Sequence, residues 1–246
     1  MHHRDELGGA IGAWLGLKPY AIEADIEPGS GWVNMRLREV HRPPIEFGLM
    51  FGDMTSNLRG ALDHLVWQLV LANKAQPRRA TSFPIVKREK DWDRAAAGAL
   101  TGVADRWVRE LRAVQPFTDG ATNPADHPLA ALDDVNNANK HRVISPYAMT
   151  GIQFAPEMKL NRPTRGNEHL EGSVSAGIDL VDGARLGRIR LVSPENDVFI
   201  RSVGPVDPRA ITVAFKIDGQ GSPSNSAAFG MVDRIFSLVQ PAFDGQ

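Results

Sequence analysis

Alternation of apolar and polar positions dominates the beginning of the chain. Residues 20–27 alternate apolar side chains with Glu23 and Asp25, a Pro-Gly-Ser-Gly turn follows, and residues 32–40 alternate again. A period of two is that of a β-strand with one buried face. The pattern therefore predicts an N-terminal β-hairpin with one face in water.

The period becomes helical after the Pro43-Pro44 pair. From Ile45 to Asn73, apolar residues recur at spacings of three and four, which is typical of an amphipathic helix. Glycines on this helix weaken it but let another helix approach closely. Further helices are predicted within residues 91–114 and at 129–139. These periodicities predict a helical bundle in the first half of the chain, with 45–73 as its spine.

The pattern changes again near residue 143. Short alternating runs separated by glycine, proline and aspartate predict strands, and an amphipathic helix from Ser226 to Val239 closes the chain. The candidate strands are 169–180, 186–191, 197–203 and 211–217. Segregation of helices and strands predicts an α+β fold. We expect the hairpin plus bundle in 1–142 and a C-terminal antiparallel β region in 143–246, joined into one domain if the last helix packs back on the bundle.

Composition narrows the classes of function. The 246-residue chain has no cysteine, which excludes disulfide-linked partners, thiolate metal sites and a cysteine nucleophile. Its formal net charge of -1 argues against a dedicated duplex-DNA binder, so any nucleic-acid contact needs a local basic patch. No apolar run is long enough for a transmembrane helix, and the charged N-terminus lacks a signal-peptide pattern. A cytoplasmic protein without membrane contact is predicted.

Charged and titratable side chains interrupt the apolar helix of residues 45–73. At about 100° per residue, Asp53, Asn57 and His64 lie along one flank of its apolar stripe, whereas Arg59 lies about 140° away from His64 on the other flank. One interpretation is a surface ion pair of Arg59 with Asp63, and a hydrogen bond from His64 to Asn57 or Asp53. The other is an acid–base site whose outer face, with Trp67, is covered by another helix, the β half or a second subunit.

A second group of polar residues ends the helix predicted at 129–139. Lys140, His141 and Arg142 follow Asn139 at a position where cations complement the helix dipole. The functional alternative is a phosphate-binding clamp, in which arginine supplies a bidentate fork, lysine a point charge and histidine an adjustable proton.

Metal and cofactor sites have little support in the sequence. No phosphate-binding loop, Gly-x-Ser-x-Gly elbow or His-Glu-x-x-His motif is present, and we predict no cofactor. His64, His127, His141 and Asp63 have the donor chemistry for a metal, but no pair has a diagnostic ligand spacing. A metal-dependent hydrolase is therefore a third hypothesis, and no metal ligand is assigned.

Several blocks of the chain resemble known proteins. A family of uncharacterised bacterial and actinophage proteins is similar to this chain in the ordered blocks Gly52-Asp53, Asn57–Leu65, Phe83–Ile85, Val114–Phe117, His127–Leu129 and Asn139–Arg142. The match covers roughly residues 20 to 145.

The spacing of Arg59 and His64 resembles the Arg-x4-6-His motif of the HEPN superfamily. Those proteins are small helical bundles, many of them metal-independent RNases of defence systems. The resemblance implies that Arg59 and His64 are a catalytic pair, brought together with their copies across a homodimer. Gly60, directly after the arginine, and the early position of the helix depart from the common HEPN pattern.

Two hypotheses about function follow. The first is a HEPN-like, metal-independent endoribonuclease of a defence or stress system, with His64 exchanging the proton of an RNA 2′-hydroxyl and Arg59 binding the phosphate oxygens. Its supporting residues are Asp53, Asn57 and Asp63, and its flanking phosphate ligands are Lys140, His141 and Arg142. The second is a non-catalytic binding or regulatory module, in which Asp63-His64 and Lys140-His141-Arg142 form a structural polar network.

Overall fold

Five α-helices occur in the part of the chain that the computed structural model describes, which is residues 2–118, 123–139, 142, 144–150, 156–175, 177–217 and 220–221. The helices are α1 (His2–Gly16), α2 (Glu46–Ala72), α3 (Trp92–Ala99), α4 (Asp105–Ala113) and α5 (Pro128–Asn139). The strands are β1 (Tyr20–Ile26), β2 (Val33–Glu39), β3 (Ile144–Thr150), β4 (Met158–Leu160), β5 (His169–Val174), β6 (Arg185–Val192), β7 (Ile200–Val203), β8 (Ile211–Ile217) and β9 (Gln220–Gly221). The α+β class is confirmed.

The chain forms two compact units. The first comprises Met1–Arg4, Gly48–Ser145 and Phe215–Gln246, and the second comprises Asp5–Phe47 and Pro146–Ala214. This division differs from the expected 1–142 and 143–246, because it groups the N-terminal hairpin with strands of the second half. The free edge of the hairpin needs a partner for its backbone groups, and β6 supplies it.

Helix α2 is the central helix of the first unit, and the predicted helix is confirmed. Its apolar positions recur at spacings of three and four and are buried at Phe51, Met54, Leu58, Leu62, Val66, Leu69 and Val70. Phe51 stacks on Phe215 with ring centroids 4.2 Å apart. The predicted apolar stripe of α5, Leu129, Leu132 and Val135, is buried as well.

The second unit contains a four-stranded antiparallel sheet in the order β1-β2-β6-β5. One face of this sheet is apolar and buried through Val33, Met35, Leu37, Leu186 and Ile189, and the other carries charged side chains. The predicted hairpin is confirmed. Its two strands are antiparallel, with a register that runs from Tyr20 opposite Glu39 to Ile26 opposite Val33. Its polar face is the exposed one.

An ion cluster joins the loops around β4 and β7, which pair with each other in the same unit. The Arg162 guanidinium donates to Glu168 Oε1 at 2.8 Å and, through Nε, to Asp197 Oδ2 at 2.9 Å. These hydrogen bonds favour the charged carboxylate and lower the pKa of Asp197 to about 2. The cluster stabilises a region that has little regular secondary structure.

Four elements have no counterpart among the predicted ones: α1, β3, β4 and β9. Helix α1 buries Leu7, Ile11 and Trp14, which follow helical spacing, but the glycines among them weaken the signal. The predicted helix at 226–239 lies outside the described residues. Among the described residues, no helix has the length and apolar character of a membrane span.

Candidate functional site

Arg59 is fixed to the backbone of the loop that follows α2. Its Nη2 donates to the Phe83 carbonyl oxygen at 2.8 Å and lies 3.1 Å from Asp63 Oδ1. The Phe83 amide in turn donates to the same Asp63 oxygen at 2.8 Å. The three residues therefore form a closed set of contacts, called the Phe83 clamp below. The predicted Arg59–Asp63 ion pair is confirmed.

Burial explains why the clamp is needed. Phe83 is fully buried and lies outside any strand, so its backbone N–H and C=O have no ladder partner. The side chains of Asp63 and Arg59 satisfy both groups. The Arg59 side chain is only 17% exposed, and its Nη1 is buried without a hydrogen-bond partner among the described residues. The guanidinium is thus directed into the protein.

His64 lies on a different side of α2 from Arg59 and is exposed. In the described part of the chain it forms no hydrogen bond, and the expected bond to Asn57 or Asp53 is absent, both of these side chains being exposed too. Asp63 does not orient it either, because the contacts of Asp63 go to Phe83 and Arg59. Within one chain Arg59 and His64 therefore do not contact each other, as their predicted separation around the helix axis implies, and the catalytic pair across a homodimer stays a prediction.

The end of α5 reaches the Arg59 side of α2. A Cβ atom on Gly52 would collide with the Asn139 amide, and Asn139 Nδ2 donates to Ser56 Oγ at 3.2 Å. The expected close approach to a glycine of this helix is confirmed. Of the predicted phosphate ligands, Lys140 and His141 lie outside the described residues, whereas Arg142 is exposed.

Two further side chains fix the same unit, and sequence reasoning did not assign them these roles. Gln115 is fully buried, accepts from the Val86 amide at 2.9 Å and donates to the Leu111 carbonyl oxygen at 2.9 Å. His127 is buried, and its Nδ1 accepts from the Leu129 amide at 3.2 Å, so it caps α5. The sequence signal for this cap is the position of His127 directly before Pro128, because proline is common at the first position of a helix.

The residues of the metal hypothesis are not gathered. Within the described ranges no group of three His, Asp or Glu side chains has a metal-binding arrangement. His127 serves as a helix cap and Asp63 as part of the Phe83 clamp. His141 lies outside the described residues.

Comparison of the chain with protein-family models, curated proteins and solved structures gives no match. The two resemblances therefore stay predictions.

Among the described residues, none covers the outer face of α2. Leu49, Trp67 and Leu71 are 66%, 42% and 46% exposed, and nothing lies within 4 Å of a Cβ placed on Gly60. Asp53 and His64 carry exposed titratable groups on this face, and the partly exposed Asp63 lies beside them. The accessible surface thus carries apolar side chains, carboxylates and an imidazole.

Proposed function

We propose that this protein is a non-catalytic binding module that works as a homodimer, and that its Arg59–Asp63 pair belongs to the fold. The Phe83 clamp is the observation that supports this. An arginine that stabilises a phosphorane must present N–H groups to the phosphate oxygens. Arg59 Nη2 is engaged by Phe83 and Asp63, so turning it toward a substrate would leave a buried carbonyl unsatisfied.

The other recognised blocks support the same proposal. The backbone of Phe83 is hydrogen-bonded by the clamp, Gln115 accepts from the Val86 amide, and His127 caps α5. Residues that carry the resemblance thus tie loops to helices through backbone hydrogen bonds. A motif of this kind specifies a fold, and proteins that share it need not share a reaction.

The proposed partner is a second copy of the chain, bound through the outer face of α2. An antiparallel pairing centred between residues 58 and 59 places Asp53 opposite the partner's His64, and the reverse. Small residues, Ser56, Gly60 and Ala61, meet at the crossing, where the helix axes must approach closely. Trp67, left exposed by the chain itself, is then covered at the rim.

The second candidate is the HEPN-like endoribonuclease, which the exposure of His64 favours. In the proposed dimer the partner's Asp53 would orient His64, and Arg142 with Lys140 and His141 would bind RNA phosphates. A role in defence or stress stays a prediction that belongs to this candidate, whereas a cytoplasmic location stays a prediction for both candidates.

An RNA-cleavage assay in EDTA separates the two candidates. We expect no cleavage above that of a mock preparation by wild-type protein, and the same result for His64→Ala. Metal-independent cleavage by wild-type protein that disappears in a fully folded His64→Ala variant would overturn the non-catalytic proposal. Cleavage retained in that variant would contradict the catalytic role of His64, and if it persists after an independent purification, it would overturn the non-catalytic proposal as well.

A further inference from the structure

Five arginines lie on the exposed face of the four-stranded sheet in the second unit. Strand alternation puts Arg36 and Arg38 of β2 on this face, and β6 contributes Arg185, Arg188 and Arg190. So many cations on neighbouring strands repel one another unless anions lie among them. The carboxylate partners of each arginine therefore show which of these cations is available to bind an anion.

Three of the five are paired with carboxylates. Arg38 lies 3.8 Å from Glu23, and Arg188 Nη2 donates to Glu27 Oε2 at 2.7 Å. Arg190 Nε donates to Glu171 Oε2 at 2.6 Å. The guanidinium groups of Arg188 and Arg190 also lie over the Trp32 ring, at 4.3 and 4.8 Å from its centroid.

The remaining two, Arg36 and Arg185, are opposite each other in the sheet register. Both are exposed, and neither side chain forms an ion pair or hydrogen bond in the described part of the chain. Directly opposed like charges destabilise a sheet, with Cβ atoms about 5 Å apart. An oxyanion bound between the two guanidinium forks would remove this repulsion.

A β-bulge creates the opposition. The register shifts between Met35 and Arg36, so that Leu186 and Gly187 of β6 both lie on the buried side. Without the extra residue, alternation would turn Arg185 toward the core. Gly187 makes the bulge possible, because its φ of 154° is left-handed and a Cβ there would collide with the Ser173 carbonyl oxygen.

The two arginines line a surface depression of about 520 Å³ together with Asn34, Asp25 and Glu23. Asp25 is exposed and has no ion-pair partner among the described residues. Glu23 is opposite Arg36 in the β1–β2 register, and its carboxylate lies 3.8 Å from Arg38. The depression thus combines two cations with a free carboxylate, in a volume larger than a single phosphate needs.

We propose that this depression, called the Arg36–Arg185 site, binds a small phosphate ester. The phosphate lies between the two guanidinium groups, and hydroxyl or amine donors of the alcohol part face Asp25. A sugar phosphate and a nucleotide share this chemistry. The inference goes beyond the proposed function and concerns the other unit, so it does not depend on the role of Arg59.

Isothermal titration calorimetry at low salt tests the site with three probes: inorganic phosphate, ribose 5-phosphate and adenosine 5′-monophosphate. We expect both esters to bind wild-type protein more tightly than phosphate does, and about tenfold more weakly after Arg36→Gln or Arg185→Gln. Arg201→Gln is the matched control, since Arg201 is equally exposed on β7. The affinity of this control variant for both esters should equal that of wild-type protein.

Asp25→Asn tests the contribution of the carboxylate separately from that of the two arginines. It should weaken binding of the esters but not that of inorganic phosphate. Tighter binding of the nucleotide than of the sugar phosphate identifies base recognition, and equal binding identifies a sugar phosphate. The proposal is overturned if no ester binds, or if Arg201→Gln weakens binding as much as Arg185→Gln does in variants whose thermal unfolding matches wild type.

Discussion

Single polar side chains hold together the irregular parts of the first unit. The loop through Phe83 is buried, yet it is not a strand, so its backbone groups depend on Arg59, Asp63 and Gln115. A buried peptide group without a partner destabilises a protein by about 1–3 kcal/mol. Arg59, one of the two residues predicted to be catalytic, is therefore also one that stabilises the fold.

Arg59→Ala and His64→Ala should therefore have very different effects on stability. Arg59→Ala leaves the Phe83 carbonyl oxygen unsatisfied and Asp63 without its cation, so we expect a loss of about 2 kcal/mol in the free energy of unfolding. His64→Ala removes an exposed side chain, and we expect a change within about 0.5 kcal/mol. Urea denaturation followed by tryptophan fluorescence measures both.

Equal, small effects of the two substitutions would show that the Phe83 clamp does not stabilise the fold. Arg59 would then have no structural role, which contradicts the proposed function.

Elements with a strong local period were predictable from the sequence. The hairpin and α2 carry clear periods of two and 3.6, and both occur with nearly the predicted ends. Helix α1 was missed because Gly8, Gly9 and Gly12 dilute an apolar pattern of only three residues. Periodicity is local information, so it could not indicate the bulge that turns Arg185 outward.

The glycines of α2 provide a test at the scale of the element. Replacing a helical glycine by alanine stabilises an isolated helix by about 1 kcal/mol. Gly60→Ala should gain about this amount, because its Cβ meets open space. Gly52→Ala should gain nothing or lose stability, since the methyl group displaces Asn139 and breaks its bond to Ser56.

Urea denaturation of both variants gives the comparison, at a concentration low enough for the chain to be monomeric, because Gly60 lies on the proposed dimer face. A Gly52→Ala variant as stable as Gly60→Ala would mean that the close approach of α5 to α2 does not require a glycine at position 52.

At the scale of the molecule, long-range pairing escaped prediction. The hairpin pairs with β6 about 150 residues later in the chain, as in Val33 opposite Ile189. The Phe83 clamp is another example, because the spacing of Arg59 and Asp63 predicts their ion pair but nothing in the pattern indicates that Phe83 contacts them. The candidate site was thus predictable as a set of residues on one helix, but not in the contacts that determine what those residues do.

The homodimer is the prediction that belongs to the whole molecule. Antiparallel pairing of two α2 helices sets Asp53 opposite the partner's His64, so His64→Asp opposes two carboxylates at each end of the interface and should weaken dimerisation by at least about tenfold. The double variant D53K/H64D restores opposite charges and should recover the dimer. Sedimentation velocity across a dilution series measures both, with His169→Asp on β5 as the exposed control. A wild-type chain that stays monomeric at every concentration, or a dimer indifferent to His64→Asp, contradicts this arrangement.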